Sequence, residues 1–428
     1  MRSIAEFNKV TRPERVIQFG EGGFLRGFAD WMLHKMNKAG LFDGSVVVVQ
    51  PIEKGLCDLL TSQNCLYTHL VRSEEGVEAE IIDIISRCVK PYEDFEEYLA
   101  LADIPTMRYI ISNTTEAGIV YSDTDTPEDT KSLTFPAKLT LLMYRRYKKG
   151  LGGFIILPCE LIDRNGDKLK ECVLRYCKKW ALGEDFEGWV EKENVFTNTL
   201  VDRINTGYPK GESLDLGYED QMVNTSELFH LWVIECDYDI ESELPFTKAG
   251  LNVIVTPNLL ETYRTRKVRI LNGAHTSLVP HALLSGFETV KDCVDNAEMR
   301  EHIRKCVFDE IIPTLDLPEE ELVEYASDVL RRFANPYIKH FLASIALNSV
   351  SKFKVRVLPS ILEYIKRYGK TPVTLVFALK RLIEFYKVGT PNDSPEVVEY
   401  IRSHEIGDIL ANEALWGTNL SFLLDEVK

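Results

Sequence analysis

The chain has 428 residues, 45% of them apolar and 27% charged, with a formal net charge of −16. That is the balance of a soluble globular protein too long for one ordinary core, so two domains are expected. The negative field argues against nucleic acid or an anionic membrane as partner, and it obliges an anionic substrate to find a locally basic pocket.

No apolar run is long enough to cross a bilayer, and the start, MRSIAEFNKVTRPERV, lacks the apolar core of a signal peptide. Nine cysteines without a CxxC pair read as reduced thiols of a cytoplasmic protein.

Residues 15–19 (RVIQF) read as a strand that runs into Gly20-Glu21-Gly22-Gly23-Phe24-Leu25-Arg26-Gly27, and 28–36 continue with helical character. A strand, a Gly-rich turn and a helix start open a dinucleotide-binding unit, where backbone approaches the pyrophosphate at a helix N-terminus. The strict G-x-G-x-x-G pattern fails, because Leu25 occupies the third glycine position. Residues 45–49 (SVVVV) are a buried-type second strand. A ribose-binding acid is expected at its end, but Gln50 and Pro51 stand there with Glu53 the nearest acid, so NAD and NADP are not distinguished at this site.

Residues 109–111 form another parallel-strand candidate, ending in Ser112-Asn113-Thr114-Thr115-Glu116-Ala117-Gly118. Small polar residues at a strand's carboxyl end are where open α/β sheets bind ligands; the same residues also suit an ordinary turn. Residues 154–157 repeat the pattern before Pro158-Cys159-Glu160, and a helix follows over 167–180. Residues 200–204 come next, and 251–256 close the strand series before Pro257. Beyond it, 258–275, 290–311, 318–333, 336–349, 353–368, 374–386 and 395–412 all carry apolar residues at helical spacing, punctuated by prolines. The expected architecture is α/β plus all-α: a Rossmann-type dinucleotide-binding domain over 1–256 and a mostly helical substrate domain over 257–428.

The first of those helices contains Lys267, Asn272 and His275. At about 100° per residue the three span an arc of roughly 140°, so one face can present them, with Val268, Ile270 and Leu271 on the inward flanks. A proton-exchanging cation, an amide donor and an imidazole are what a carbonyl becoming an alcohol requires. The same spacing suits a solvated surface face, and the cofactor-type unit upstream is what tips the reading. A zinc site lacks ligands at coherent spacing, since His275 and His281 are separated by Pro280 and no HExxH or CxxC occurs. No GxSxG elbow or GxxxxGK[ST] loop is present, and no histidine is placed beside Cys159. A metal-independent dehydrogenase is therefore expected, with Lys267 in the role zinc would otherwise fill.

These residues resemble the polyol-specific long-chain dehydrogenases, typified by mannitol dehydrogenase. Lys267, Asn272 and His275 match that family's Lys-x4-Asn-x2-His signature, and the Gly-rich start, Thr-x-Glu-x-Gly at 114–118, Val-Asp-Arg-Ile at 201–204 and Arg-Phe-x-Asn-Pro at 332–336 follow in order. The blocks SNTTEAGI (112–119), PCELIDRNGD (158–167), KVRILNGAHT (267–276), RFANPYIKH (332–340) and SIALNSVSKF (344–353) are similar to a branch that reduces hexuronic acids. The resemblance implies reversible, NADH-dependent ketone reduction of a small sugar acid, with no metal and with neither nucleic acid nor membrane as partner. It implies cofactor contacts from Phe19, Gly20, Gly22, Gly23, Phe24, Arg26, Gln50, Asn113 and Thr114. Lys267 would be the general acid and base, Asn272 a donor to the carbonyl oxygen, and His275 a holder of that oxygen or a neighbouring hydroxyl. Asp202 and Glu116 would meet the substrate, and Arg332, Lys339 and His340 are the candidates for its carboxylate. One departure stands out: mannitol dehydrogenases carry Asp-Asn after the strand-end Cys, where this chain has Glu160-Leu161, so a second oxyanion donor is missing there. The residues do not choose between hexuronates differing at one carbinol centre. A mannitol-type substrate, or a silent nucleotide-binding protein keeping the fold, are the other readings.

Overall fold

The structure, a computed structural model, describes residues 2–428, and the chain divides into two compact units, 1–260 and 261–428. The first is built on six parallel strands: β1 (Glu14–Phe19), β2 (Ser45–Val49), β3 (Ile85–Val89), β4 (Tyr109–Ser112), β5 (Ile155–Pro158) and β6 (Val195–Phe196). Their order across the sheet is β3-β2-β1-β4-β5-β6, the Rossmann arrangement, with the winding reversed between β1 and β4. Successive side chains alternate between faces. Val16, Val46, Val48 and Ile111 meet Met32, Leu33 and Met36 of the helix Ala29–Lys38 on one side. Ile17, Val47, Val49 and Ile110 meet Leu139 and Met143 of Phe135–Lys148, and Val173 of Asn165–Lys179, on the other. Covered on both faces, Val46–Val49, Tyr109–Ile111 and Ile155–Leu157 are unbroken apolar runs, while β1 carries the buried Gln18 and β3 carries Ser86 and Arg87.

Residues 198–202 and 253–256 do not extend this sheet, contrary to the expected strand series. Asn198–Asp202, Leu231–Glu235 and Val253–Thr256 form a separate three-stranded sheet. Only Thr197 lies between β6 and Asn198, whereas a return to the parallel sheet needs a crossover of a dozen or more residues. A further sheet joins Asn205–Gly207, Asn224–Glu227, Tyr67–Ser73 and Gly76–Ile82.

The second unit is helical, with several expected helices broken. The stretch 290–311 is cut at Asn296, whose side chain caps the next helix through the N–H groups of Glu298 and Met299. The stretch 353–368 is cut at Val357, and 395–412 at His404 and Glu405. Residues 336–348 are helical only over Leu342–Ile345, and Ser349 opens the next helix, Ser349–Arg356. Asn335, held in extended backbone ahead of Pro336, ends the helix Glu319–Ala334, and its Oδ1 accepts from Tyr337 N–H at 3.0 Å. At the centre lies Gly273–Leu284, buried from Gly273 through Pro280 and packed against Ser349–Arg356 and Val373–Val388. Close packing on these neighbours holds the helix across its internal Pro280. Among the described residues no helix is long and apolar enough to cross a membrane.

One buried charge sits behind the Gly-rich turn. Asp30 is fully buried, and Gln18 Nε2 donates both to its Oδ2 at 3.3 Å and to Gly20 O at 3.0 Å. Burial pushes the carboxyl from the ordinary 3.8 to about 7, against the opposing pull of Gln18 and Arg26. A pKa raised on folding contributes stability that is complete below the unfolded value and is lost as pH rises through the folded one. Asp30→Asn should therefore gain on the wild type in denaturant unfolding as pH rises from about 4 to about 7, and hold that gain above it. A difference that stays level across the window would show that Asp30 is ionised throughout.

Candidate active site

In the first unit the carboxyl ends of β1 and β4 flank the point where the winding reverses. Gly20, directly after β1, has φ +119°, and a Cβ there would lie 3.0 Å from Asn113 O, so only glycine fits. Gly20 N–H donates to Val49 O at 3.1 Å and Asn113 N–H to Phe19 O at 3.0 Å, pinning the turn to both neighbouring strands. Gly22 precedes the short helix Gly23–Arg26 and has nothing within 4 Å of where its side chain would project. A nucleotide phosphate can approach bare backbone there, and the loop fits the group its fold implies. The close packing served by a third glycine falls to Gly27, not to position 25. A Cβ on Gly27 would meet Asn205 Nδ2 at 2.0 Å, and the amides of Asn205 and Asn224 both donate to Gly23 O, at 2.7 and 2.8 Å.

Several of the expected cofactor contacts have side chains committed elsewhere. Arg26 is 4% exposed; its Nε donates to Glu21 O at 3.1 Å and its Nη1 to Met222 O at 2.7 Å, so it braces the turn from behind. Gln50 donates to Ile52 O and Glu53 O at 2.8 and 3.0 Å and accepts from Cys57 N–H at 3.3 Å, closing its own loop. The Phe19 ring packs into the core against Tyr98 and Phe135. Phe24 stacks on Phe28 at 5.0 Å.

At the end of β4, Asn113 Nδ2 donates to Cys159 O at 3.0 Å. Glu160, which marks the departure from mannitol dehydrogenase, ties the two strand ends together. Its Oε1 accepts from Thr114 N–H and Thr114 Oγ1, each at 2.9 Å, and its Oε2 from Ser112 Oγ at 3.0 Å. Burial raises its pKa, and these bonds work the other way. Glu116 is exposed on the loop beyond, next to Thr115 with φ +71°. Asp202 is buried at the end of Asn198–Asp202. Its neighbour Arg203, which sequence reasoning passed over, donates to Gly27 O at 2.6 Å and Glu227 O at 3.0 Å and lies 4.1 Å over the Trp31 ring.

In the second unit, Lys267 ends the α-helix Leu260–Lys267, Val268–Asn272 follow as a π-helical turn, and Gly273–Leu284 resume the α-helix. Closure through i→i+5 hydrogen bonds brings residue i+5 back nearer to residue i than an α-helix would. Lys267 and Asn272, five apart and both half-buried, are thus drawn together on one face, with His275 one α-turn further on. The His275 ring is 6% exposed, stacked on Phe333 at 4.2 Å and met edge-on by His340 at 4.8 Å. Burial, reinforced by the charges of His340, Arg332 and Arg356, holds its pKa well below 6.5, so the ring is neutral. Its Nε2 is buried without a hydrogen-bond partner among the described residues, a condition native proteins seldom leave unexplained.

Of the carboxylate candidates, Arg332 is buried and His340 half-buried within electrostatic range of His275, while Lys339 is exposed. Sequence reasoning missed Arg356, whose Nη1 lies 3.5 Å from Thr276 Oγ1, 80 residues away along the chain. Among the described residues no three His, Cys, Asp or Glu side chains converge as a metal site would require.

Known proteins match this arrangement along nearly its whole length. Residues 14–246 match the mannitol dehydrogenase Rossmann domain and residues 259–420 the mannitol dehydrogenase C-terminal domain. The altronate oxidoreductase of Phocaeicola vulgatus is 44% identical, covering 96% of this chain and 92% of its own length. That of Bacillus subtilis is 45% identical over 96% of this chain and 89% of its own. Among solved structures, a substrate-free D-sorbitol dehydrogenase shares the fold with a TM-score of 0.83 at 21% identity, covering 97% of this chain and 92% of its own. Pseudomonas fluorescens mannitol 2-dehydrogenase, in complex with NAD and D-mannitol, shares it at 0.70 and 21%, covering 100% and 92%. Fold and relatives define an oxidoreductase acting on CH–OH groups. The chain belongs to the mannitol dehydrogenase family, and within it is similar to altronate oxidoreductases.

The Glu160 tie makes a checkable claim about the end of β4. Glu160→Ala strands three donors, and should cost about 2 kcal/mol or more of unfolding free energy. Denaturant titration measures it; a loss under about 0.5 kcal/mol would mean that water or other groups replace the tie.

Proposed function

We propose that this chain is an NAD-dependent reductase of D-tagaturonate, interconverting it with D-altronate without a metal, in hexuronate catabolism. Residues 1–256 serve as the nucleotide domain and 257–428 as the substrate domain. The observation that carries the reading is the buried, neutral His275 with an unpartnered Nε2, on a helix whose irregular turn gathers Lys267 and Asn272. The likeness to altronate oxidoreductases over almost the full chain supports the choice of substrate.

Bound nicotinamide supplies or accepts the hydride, and this chain's residues do the rest. Gly20, Gly22 and Gly23 leave backbone open to the nucleotide's phosphates, with Asn113 and Thr114 at the neighbouring strand end. In reduction Lys267 gives a proton to the carbonyl oxygen, and in oxidation it takes that proton from the hydroxyl. Asn272 donates an amide hydrogen bond to the same oxygen as negative charge gathers on it. His275, held uncharged by burial and neighbouring cations, keeps Nε2 for the reacting oxygen or the hydroxyl beside it. Asp202 and Glu116 add contacts to the sugar hydroxyls. Arg332 supplies the local positive field that an acid substrate needs in a chain of net charge −16, and His340, whose pKa is lowered by burial and Arg332, adds a hydrogen-bonding ring beside it.

The direct test follows NADH absorbance with D-tagaturonate, D-fructuronate and D-fructose in parallel, and again with NADPH. Preference for tagaturonate with NADH is expected. Preference for fructuronate or fructose would move the assignment to a fructuronate reductase or a mannitol-type enzyme, and silence on all three with NADH bound would favour a non-catalytic role. Lys267→Ala should lower kcat by roughly two to four orders of magnitude with NADH binding retained; turnover near wild type would remove Lys267 from the chemistry.

A further inference from the structure

We propose that Arg356 receives the carboxylate of an acid substrate and so sets the preference for a sugar acid over a neutral sugar. The inference rests on the reading above and adds a residue to it. Arg356 ends the helix Ser349–Arg356, which packs directly on Gly273–Leu284. Its carbonyl oxygen would lie 3.2 Å from a Cβ on Gly273, so the absence of a side chain there is what lets the helix end close on the junction after Asn272. Its Nη1 reaches Thr276 Oγ1 at 3.5 Å, next in sequence to His275, and its charge acts on the His275 ring. The guanidinium is thus carried by a rigid element and set beside His275 and Thr276.

Among the described residues, the surroundings of Arg356 carry no counter-charge. Arg264, Arg266, Arg304, Arg331, Arg367 and Arg381 of this unit pair with carboxylates, and Arg269, Arg300 and Arg402 donate to backbone carbonyls, whereas Arg356 reaches a hydroxyl beside His275. Arg356 is half-buried and pairs with no carboxylate among the described residues, and burial lowers its pKa with no acid opposing. One helical turn earlier Lys352 is also half-buried and feels Arg356 as a like charge, a destabilising i,i+4 pair. Asp393 is within range of Lys352, but its Oδ2 is engaged by Tyr386 OH. A partly desolvated guanidinium without an anion is unfavourable, and a planar carboxylate is the ligand that its fork of donors fits, through two parallel hydrogen bonds.

The test uses the full chain with Arg356→Met, Arg356→Lys and Arg332→Met, assayed with NADH on the preferred ketouronate and on D-fructose, with D-gluconate as a competing aldonate. Arg356→Met should raise KM for the uronate and the inhibition constant of gluconate by roughly 10- to 100-fold. Its kcat and its KM for fructose should stay within about threefold of wild type. Arg356→Lys, which keeps the charge but loses the fork, should fall between. NADH binding and circular dichroism identify a variant that has failed to fold, and in that event the lysine variant decides. Equal losses on acid and neutral sugars would reduce Arg356 to a structural part, and a selective loss confined to Arg332→Met would transfer the role to Arg332. Wild-type enzyme that turns over no uronate would sink the reading above and this inference with it. Wild-type activity on uronates with Arg356→Met unchanged would sink this inference alone.

Discussion

The chemistry assigned to the second unit depends on one irregular turn. Were Leu260 to Leu284 a continuous α-helix, Lys267 and Asn272 would point about 140° apart. The π-helical closure at Val268–Asn272, with Gly273 N–H turned back to Val268 O, brings them nearer the same line. Such turns are uncommon and recur at functional sites, because the extra residue loosens the helix and packing must hold it. Here the hold is visible. Ile270 and Leu271 are buried, Gly273 is pressed beneath Arg356 O, and the helix beyond is enclosed as far as Pro280.

A second constraint is electrostatic. The chain repels anions overall, yet around the buried His275 the fixed charges that perturb it are the cations Arg332 and Arg356, and the neighbouring His340 is itself held below its ordinary pKa by burial and Arg332. The effect of these cations on the ring and on an acid ligand has opposite sign. They keep the imidazole uncharged, so that its nitrogens stay one donor and one acceptor, and they attract a carboxylate. One set of charges thereby serves both purposes.

The first unit was largely legible in the sequence because buried parallel strands are written as unbroken apolar runs, as in Val46–Val49 and Tyr109–Ile111, and Gly20 stands where a positive φ is required. What escaped was the use made of side chains inside the motif. Arg26 and Gln50 occupy positions where a nucleotide is expected, but their polar atoms are taken by Glu21, Met222, Ile52 and Glu53. Glu160 read as a missing donor, and turned out to be an acceptor joining β4 to β5. In the second unit the three-residue signature could be read and its π turn could not, since i→i+5 bonding leaves no residue pattern. Arg356 is invisible to spacing because it meets Thr276 only through tertiary packing.

These constraints also say where substrate preference can change within such a fold. Lys267, Asn272 and His275 share a helix that is buried, irregular and locked by Gly273, so altering that helix disturbs the groups proposed to react and the core together. Glu160 is likewise bound on both oxygens, and a change there unties Ser112 and Thr114 from the end of β5. Arg332, His340 and Arg356 lie on separate elements around His275, outside the backbone that aligns the signature. Charge can be exchanged at those positions while the residues proposed to react keep their alignment. Under that proposal, one helix would carry ketone chemistry for neutral polyols and acid sugars alike, with the choice between them made by the arginines beside it.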